Sequence, residues 1–167
     1  EAEGTFTGNE HMVYRLPGRQ FVVKRTINNM FGGSPATMET PSGYLQQLVD
    51  YNSVVPPQLQ KTFLGVSTDA LGNGVIVTAQ PYISGKKPSD AQLKAVMRRA
   101  GFEHISGGEY KHTDTGAIIM DAEPRNVFVQ DGQPLPIDVW VKFPEEREFF
   151  SPELAEDSLI VSTRFPT

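Results

Sequence analysis

The stretch Ala117–Trp140 reads AIIMDAEPRNVFVQDGQPLPIDVW, and its pattern decides how the rest of the chain is interpreted. Its apolar start predicts a buried strand, and Asp121 follows that strand directly. Pro124 prevents the next residues from continuing as a helix or a ladder. Beyond Asn126, two extended runs flank Asp131-Gly132, a pair that is typical of a tight hairpin turn. The stretch therefore predicts a strand, a polar loop and a hairpin.

The predicted hairpin brings polar side chains together. Pairing of its two strands returns Asp138 to the neighbourhood of Asn126, next to the loop that begins at Asp121. Two carboxylates and one amide then share a small volume. Oxygen ligands of this kind suit Mg²⁺ and a phosphate ester. The sequence therefore predicts a site for a metal ion and a phosphorylated compound at this hairpin.

Composition limits the architectures that the chain can adopt. With 167 residues, of which 38% are hydrophobic, the chain can bury one core, which favours one domain over two. The 15 glycines and 13 prolines favour short elements and many turns over a helical bundle.

Charge and cysteine content limit the partners and the compartment. A net charge of −5 provides no electrostatic footprint for nucleic acid or for an anionic membrane, so we expect neither partner. The lack of cysteine excludes disulfides and thiolate zinc sites and is compatible with a reducing cytoplasm, where we expect the protein to act. No apolar run approaches the roughly 20 residues of a membrane span, and we expect no signal peptide.

Local patterns also place elements outside the hairpin stretch. Thr5–Thr26 predicts two or three antiparallel strands, and Pro41–Ser53 predicts an amphipathic helix. Two further strands are predicted at Gln58–Val66 and Gly74–Gln80. A second helix is predicted at Asp90–Ala100, between a capping serine and a glycine stop.

The order of these motifs resembles that of the protein-kinase-like superfamily. In that superfamily a catalytic Asp is followed by an Asn five residues later, and then by a metal-binding Asp near a short hairpin. More closely, DAEPRNVF followed by PID resembles the D-x-H-P-x-N-V and P-I-D pattern of kinase domains found in polyvalent proteins of phages and conjugative elements. The residues of Glu10–Leu16, Val22–Lys24 and Thr78–Pro81 also resemble those of this family, so the resemblance covers nearly all of Gly8–Trp140.

The resemblance implies an α+β fold, a minimal protein-kinase-like fold made by one domain. Residues 1–80 would form an N-terminal lobe, an antiparallel sheet of about five strands that carries one helix. Residues 81–143 would form a reduced C-terminal lobe, and residues 144–167 a tail. Val139 stands where kinases usually have a glycine after the metal-binding Asp, so we expect a fixed strand there.

The resemblance also assigns roles to individual residues. Lys24 would neutralise the α and β phosphates of ATP, and Asn126 and Asp138 would hold Mg²⁺. Asp121 would accept or orient the proton of the acceptor hydroxyl. In the superfamily a helix glutamate pairs with the strand lysine, but Gly43 stands near that place here, so the partner of Lys24 is left open.

Three further residues are implied to contact the nucleotide. Gly8 belongs to a reduced glycine-rich segment, and Gln80 and Tyr82 belong to a predicted hinge at the adenine edge. Each of these predictions has a plainer alternative, because the glycine also fits an ordinary turn and the hinge an ordinary strand end. Lys24 likewise fits an exposed strand lysine.

Three interpretations of function remain at this point. The first is an ATP-dependent phosphotransferase that acts on a protein or small-molecule hydroxyl. Against it, Glu123 stands where kinases usually place a lysine. The second is a catalytically dead kinase-like binding module, or pseudokinase, which the missing helix glutamate, the missing glycine after Asp138 and the short chain favour. The third is an α+β structural domain in which Asp121 and Asn126 only cap a loop. The three histidines are too scattered to predict a metal site, and we expect them at the surface or in polar networks.

Overall fold

Five antiparallel strands from the first half of the chain form one sheet. The structure is a computed structural model, and it describes residues 3–7, 11–27, 31 and 40–144. The strands are β1 (Glu3–Thr7), β2 (His11–Arg15), β3 (Phe21–Thr26), β4 (Thr62–Thr68) and β5 (Gly74–Pro81). They lie in the order β1-β2-β3-β5-β4, which makes β3 the central strand.

One face of this sheet is covered, and it carries polar residues. In β3 every second residue is buried, as the alternation of a strand requires, and Lys24 is among the buried ones. Lys24 lies opposite Thr78 of β5, and Val22 lies opposite Gln80. Directly opposed residues of an antiparallel pair point to the same face. Lys24, Thr78 and Gln80 therefore share the covered face.

The rest of the described chain adds two α-helices and two smaller antiparallel sheets. The elements are α1 (Pro41–Val54), α2 (Asp90–Arg99), β6 (Phe102–Ser106), β7 (Glu109–His112), β8 (Ile118–Met120), β9 (Val127–Gln130), β10 (Gln133–Pro136) and β11 (Trp140–Lys142). One sheet has the order β11-β8-β7-β6, and β9 and β10 form a separate hairpin. No helix in the described ranges is long and apolar enough to cross a membrane.

Helix α1 connects the five-stranded sheet to the later elements. Its start is capped by Thr40, whose side chain accepts a hydrogen bond from the Gly43 N–H at 3.1 Å. Tyr44 packs with Ile76 of the five-stranded sheet. On the other side, the Gln47 Oε1 accepts a hydrogen bond from the Val141 N–H of β11 at 3.0 Å. The helix thereby sets the position of the chain that follows Asp138.

The main hydrophobic core lies between the two helices, the four-stranded sheet and the hairpin. Its buried members include Tyr51, Leu59, Leu93, Met97, Tyr110, Ile119, Val127, Leu135 and Val141. Since β8, β9 and β11 all contribute to this core, the loop between β8 and β9 starts and ends on well-packed strands.

The hairpin has the geometry that its sequence predicts. Asp131 and Gly132 have φ values of 51° and 75°, and a two-residue turn with both central φ values positive matches the right-handed twist of the strands it joins. After β10, the Ile137 N–H donates to the Asn126 carbonyl at 2.9 Å. The prediction that the hairpin returns Asp138 to the neighbourhood of Asn126 is therefore confirmed.

Most of the predicted elements are present, but one boundary is wrong. The mixed α+β composition, the five-stranded sheet and both helices follow the predictions closely. The segment Gln58–Val66, however, is not one strand, because Pro57–Leu59 forms a 3₁₀ turn and β4 begins only at Thr62. Two consecutive prolines restrict the backbone there, and Leu59 is buried in the core at 2% exposure.

Candidate active site

Lys24 and Asp138 form an ion pair between the covered face of the sheet and the segment after the hairpin. The Lys24 Nζ donates to the Asp138 Oδ1 at 3.2 Å. The Lys24 side chain is only 11% exposed, whereas the Asp138 side chain is 60% exposed. The predicted phosphate-binding lysine and the predicted metal ligand are thus in direct contact, with the lysine buried and the carboxylate open to solvent.

The charge of Asp138 is maintained by its cationic neighbours. Partial burial raises the pKa of Asp138, but the charges of Lys24 and Lys61 and the hydrogen bond from Lys24 outweigh that effect. The pKa therefore lies below its usual range. Asp138 is ionised at neutral pH, as a hard-cation ligand must be.

Lys61, just before β4, is a second lysine of this site that the sequence did not reveal. Its Nζ lies 4.0 Å from the centroid of the Tyr51 ring. Its backbone is held by Asn52, whose side-chain amide makes two 2.8 Å hydrogen bonds to the Lys61 N–H and carbonyl. Burial lowers the pKa of Lys61 to about 7, and the charge of Lys24 adds to this effect. No sequence signal distinguishes Lys61, because its burial arises from packing against α1.

Tyr51 was also missed, and it connects α1 to the hairpin. Its hydroxyl donates to the Pro136 carbonyl at 2.8 Å, two residues before Asp138. Burial raises the pKa of Tyr51, and the Asp138 charge adds to the increase, so the phenol remains a neutral donor. Tyr51 therefore carries Lys61 on its ring and holds the Asp138 segment with its hydroxyl.

His11 belongs to a polar network, one of the two surroundings expected for it. Its Nε2 lies 3.1 Å from the Tyr44 hydroxyl. Burial lowers the pKa of His11 to about 4, and the Lys24 charge contributes, so the ring is neutral at physiological pH. Within the described ranges, no cluster of three or more His, Asp or Glu side chains could hold a metal ion by itself.

Asp121 occupies a strained loop position beside Asn126. Its φ is 58°, a left-handed conformation that costs energy for a residue with a side chain. The Asn126 Nδ2 donates to the Asp121 carbonyl at 2.9 Å and to the Asp121 Oδ2 at 2.8 Å. Arg125 donates to the other carboxylate oxygen at 3.2 Å. These contacts keep the Asp121 side chain in one orientation despite the unfavourable backbone.

Gly108 supports the Asp121 loop from outside. Its carbonyl accepts the Ala122 N–H at 2.9 Å. A Cβ added at Gly108 would lie 3.1 Å from the Ala122 backbone nitrogen and 3.3 Å from the Asp121 backbone. Only glycine permits this approach without displacement of the loop. In the sequence, Gly107-Gly108 predicts only a break between two strands.

Glu123 forms an ion pair within the loop. Its Oε2 pairs with the Arg125 Nε at 3.0 Å. Arg125 thus contacts both Asp121 and Glu123, and it is 70% exposed. Such an exposed pair adds little stability. It does direct one positive charge to the two carboxylates that would otherwise repel a phosphoryl group.

The predicted site residues therefore lie in two contacting pairs that one backbone hydrogen bond joins. Lys24 contacts Asp138, and Asp121 contacts Asn126. The Ile137 N–H donates to the Asn126 carbonyl, so the residue before Asp138 is hydrogen-bonded directly to Asn126 of the other pair. The partner of Lys24, which the sequence left open, is Asp138.

Two acidic residues lie near α1 in the sequence, Glu39 just before it and Asp50 towards its end. The first turn of α1 contains no acidic residue. Asp50 accepts a hydrogen bond from Gln46 at 2.9 Å instead. Glu39 lies outside the described residues.

The predicted hinge and glycine residues have different positions. The Tyr82 N–H donates to the Gln20 carbonyl at 2.9 Å, and the Tyr82 ring lies 4.1 Å from the Arg15 guanidinium. Gln80 is buried on the face that carries Lys24. Gly8 lies outside the described residues. The assignment of all these residues to a nucleotide stays a prediction.

The donor set fits a hard divalent cation that is shared with phosphate. Because both contacts of the Asn126 Nδ2 are to acceptor oxygens of Asp121, the amide Oδ1 remains for another partner. Asp138 adds an ionised and accessible carboxylate. Mg²⁺ is commonly held by one or two such protein groups together with substrate phosphates and water. Asn126 and Asp138 would hold it here.

A separate cavity of about 390 Å³ lies behind the hairpin. Val55, Met97, Phe102 and Leu135 are among its lining residues, and its walls include the ends of both helices. It contains none of the predicted site residues, so it is not the candidate active site.

A strand lysine paired with an aspartate after a short hairpin, with an Asp–Asn loop beside it, is the combination expected of a kinase-like protein. A family model agrees with this class. The chain belongs to the family described as Serine/Threonine/Tyrosine kinase found in polyvalent proteins, whose model matches residues 1–145. No curated protein and no solved structure gives a significant match to the chain.

Substitution of Lys61 by Met is expected to remove a pH-dependent component of stability. The pKa of Lys61 is 10.5 in the unfolded chain and about 7 in the folded one, so between these values the unfolded state holds a proton that the folded state lacks. Wild-type stability should therefore rise with pH in this window relative to Lys61→Met. The slope approaches about 1.4 kcal/mol per pH unit.

Urea unfolding at a series of pH values from about 7 to about 10 measures this difference. Lys94→Met, which removes an exposed lysine of α2, is the matched control and should follow the wild-type pH dependence. A stability difference between wild type and Lys61→Met that stays constant across this range would show that Lys61 keeps its ordinary pKa.

Proposed function

We propose that this chain is an ATP- and Mg²⁺-dependent phosphotransferase that moves a phosphoryl group to a hydroxyl of a protein or a small molecule. The observation that carries the proposal is the contact between the buried Lys24 and the solvent-open Asp138, beside the Asp121–Asn126 pair. Membership of the kinase family supports the same reaction class.

The charges of the site support a polyanionic substrate. Lys24 and Lys61 both influence the single carboxylate of Asp138, and Lys61 has no carboxylate partner of its own in the described part of the chain. A triphosphate would bring further negative charge to both lysines and would favour the protonated form of Lys61. Phosphoryl transfer depends mainly on positioning and on charge neutralisation, so these few side chains can suffice for the chemistry.

Asp121 is the proposed base or orienting group for the acceptor hydroxyl. Asn126 and Arg125 hold its carboxylate from two sides, and its positive φ fixes the direction of the side chain. With a side chain that is 40% exposed, the carboxylate is accessible to an acceptor. A carboxylate of this kind can accept the hydroxyl proton as the phosphoryl group is transferred.

Asn126 and Asp138 are the proposed ligands of Mg²⁺. The ion supplies neutralisation of the phosphate oxygens when it is bound. The chain itself supplies one ionised carboxylate and one amide oxygen, and it keeps them together through the Ile137–Asn126 hydrogen bond. With the Asp138 carboxylate engaged as a metal ligand, Lys24 would be available to pair with a phosphate oxygen.

The proposed lobes follow from the same placement. The five-stranded sheet with α1 would form the N-terminal lobe, and the later elements would form the reduced C-terminal lobe of a single domain. The nucleotide would lie between them, with its phosphates at Lys24 and its base near Gln80 and Tyr82.

Binding and transfer measured separately test the proposal. Calorimetry should detect ATP binding that requires Mg²⁺ in the wild type and no longer depends on Mg²⁺ in Asp138→Ala. Labelled ATP should transfer phosphate to the chain itself, to a casein-like protein or to one of a panel of hydroxyl metabolites. An absence of ATP binding at millimolar concentration would reject the proposal.

A nucleotide-binding module without turnover is the second candidate function. It is favoured by the lack of an acidic residue in the first turn of α1, and by Arg125 and Asn126, which already occupy both carboxylate oxygens of Asp121. ATP binding with no transfer to any acceptor would select this function over catalysis.

A further inference from the structure

The cavity behind the hairpin is large enough to receive aromatic side chains. Most of its lining residues are apolar, and the exceptions are Gln58, His112 and Gln133. Its volume is about 390 Å³, whereas a cavity of roughly 150 Å³ already holds a benzene-sized group. The cavity therefore has room for one or two phenyl rings.

The chain leaves its last strand beside this cavity. Phe143 lines a smaller cavity of about 200 Å³, which shares Val54 and His112 with the larger one. Pro144, the last described residue, lies against Gly116, since a Cβ added at Gly116 would be 3.3 Å from the Pro144 ring. The residues that follow Pro144 therefore start next to the two adjoining cavities.

The sequence that follows Pro144 suits an apolar cavity close by. Residues 145–150 read EEREFF, so three glutamates and one arginine precede Phe149 and Phe150. A fully extended chain advances by at most about 3.6 Å per residue, so Phe149 can lie as far as roughly 17 Å from Pro144. That reach brings both rings within range of a cavity that adjoins their starting point.

The end of α2 carries charge that complements the three glutamates. Arg98 and Arg99 lie between Met97 and Ala100, which are two residues of the cavity wall. Both arginines are exposed, and neither has a carboxylate partner within the ranges that the structure describes. An acidic segment that crosses this helix end would therefore be attracted to it while the rings that follow enter the cavity.

We propose that residues 145–150 fold back over the end of α2 and insert Phe149 and Phe150 into the cavity behind the hairpin. The occupant of the cavity is thus a segment of the same chain. The inference is independent of the proposed catalytic function, because none of the candidate site residues lines the cavity. The cavity wall includes Pro136, whose carbonyl accepts the Tyr51 hydroxyl. The docked rings would thus pack behind the strand that leads to Asp138.

Disulfide cross-linking of the full chain tests the docking, because the chain has no cysteine of its own. Gln133→Cys places one thiol at the exposed rim of the cavity, and Ser151→Cys places the other directly after the two phenylalanines, which are both kept. With oxidised glutathione, this double variant should form an intramolecular disulfide. Ser67→Cys/Ser151→Cys, with its first thiol on the exposed edge strand β4, is the matched control and should react at least about 10-fold more slowly.

The contribution of the two rings is measured within the same cysteine pair. Phe149→Ser/Phe150→Ser should slow the cross-link by about 10-fold or more, because burial of a single phenyl ring changes an equilibrium by at least that factor. Phe165→Ser, which removes another phenylalanine of the tail, is the matched control and should leave the rate unchanged. In the cysteine-free chain, Phe149→Ser/Phe150→Ser should also lower the urea midpoint, whereas Phe165→Ser should not.

Three results would overturn the inference. The first is a cross-link that forms as fast in Phe149→Ser/Phe150→Ser as in its parent, because the tether alone would then bring the thiols together. The second is equal rates for the Gln133→Cys/Ser151→Cys and Ser67→Cys/Ser151→Cys pairs. The third is a disulfide that joins two chains at a rate that rises with protein concentration, which would assign the cavity to a second copy of the protein.

Discussion

Asp121→Asn is expected to lower phosphoryl transfer by about 10²–10⁴-fold while ATP affinity changes by no more than a few fold. The substitution keeps the size of the side chain and removes its basicity. Asn126 and Arg125 hold the carboxylate at the end of β8, next to the Ile137–Asn126 hydrogen bond and not in contact with Lys24. The interaction of the Asp121 carboxylate with the acceptor would develop mainly in the transition state, so we expect the substitution to lower kcat.

Transfer from labelled ATP and calorimetric ATP binding are measured on the same preparations. Asp114→Asn, which changes an exposed turn residue between β7 and β8, is the matched control and should retain the wild-type rate. Equal transfer by Asp121→Asn and wild type would contradict the assignment of Asp121. A loss of ATP affinity as large as the loss of transfer would place Asp121 at the nucleotide instead.

Asp138→Asn should destabilise the fold more than Lys24→Met does, although the two substitutions break the same ion pair. Without Asp138 the buried Lys24 has no anion, and Lys61 loses the same neighbour, so we expect a loss of about 2–3 kcal/mol. Without Lys24, the exposed Asp138 remains hydrated, and the expected loss is under about 1 kcal/mol.

Urea unfolding without nucleotide measures both losses. The double variant Lys24→Met/Asp138→Asn should be closer to Lys24→Met than to Asp138→Asn, because the buried charge of Lys24 is removed together with its partner. Asp131→Asn in the hairpin turn is the control for the loss of one surface carboxylate. Equal stability of Asp138→Asn and Lys24→Met would show that the buried Lys24 does not need an anionic partner.

The sequence by itself determined the local elements and named the candidate site residues, whose roles stay predictions. Hairpin turns, caps and strand alternation depend on residues that are close in the chain. Asp131-Gly132 therefore predicts the turn, and Ser89 predicts the start of α2. The motif order, through its resemblance to the kinase-like superfamily, singled out Lys24, Asp121, Asn126 and Asp138 as candidates. Only at Pro57–Leu59 did the local pattern mislead, because burial of Leu59 in the core anchors a turn there.

The tertiary structure alone decided which groups share an environment. Lys61 has a pKa of about 7 because packing of α1 against the site removes it from water, and nothing in its neighbours along the chain indicates that burial. The same holds for the Tyr51 hydroxyl at Pro136, for the backbone of Gly108 against Asp121 and for the Gln80 Oε1, which is buried without a hydrogen-bond partner among the described residues. Burial and charge coupling depend on distance in space and not on separation in sequence, so these features emerge only when the helices and sheets have packed together.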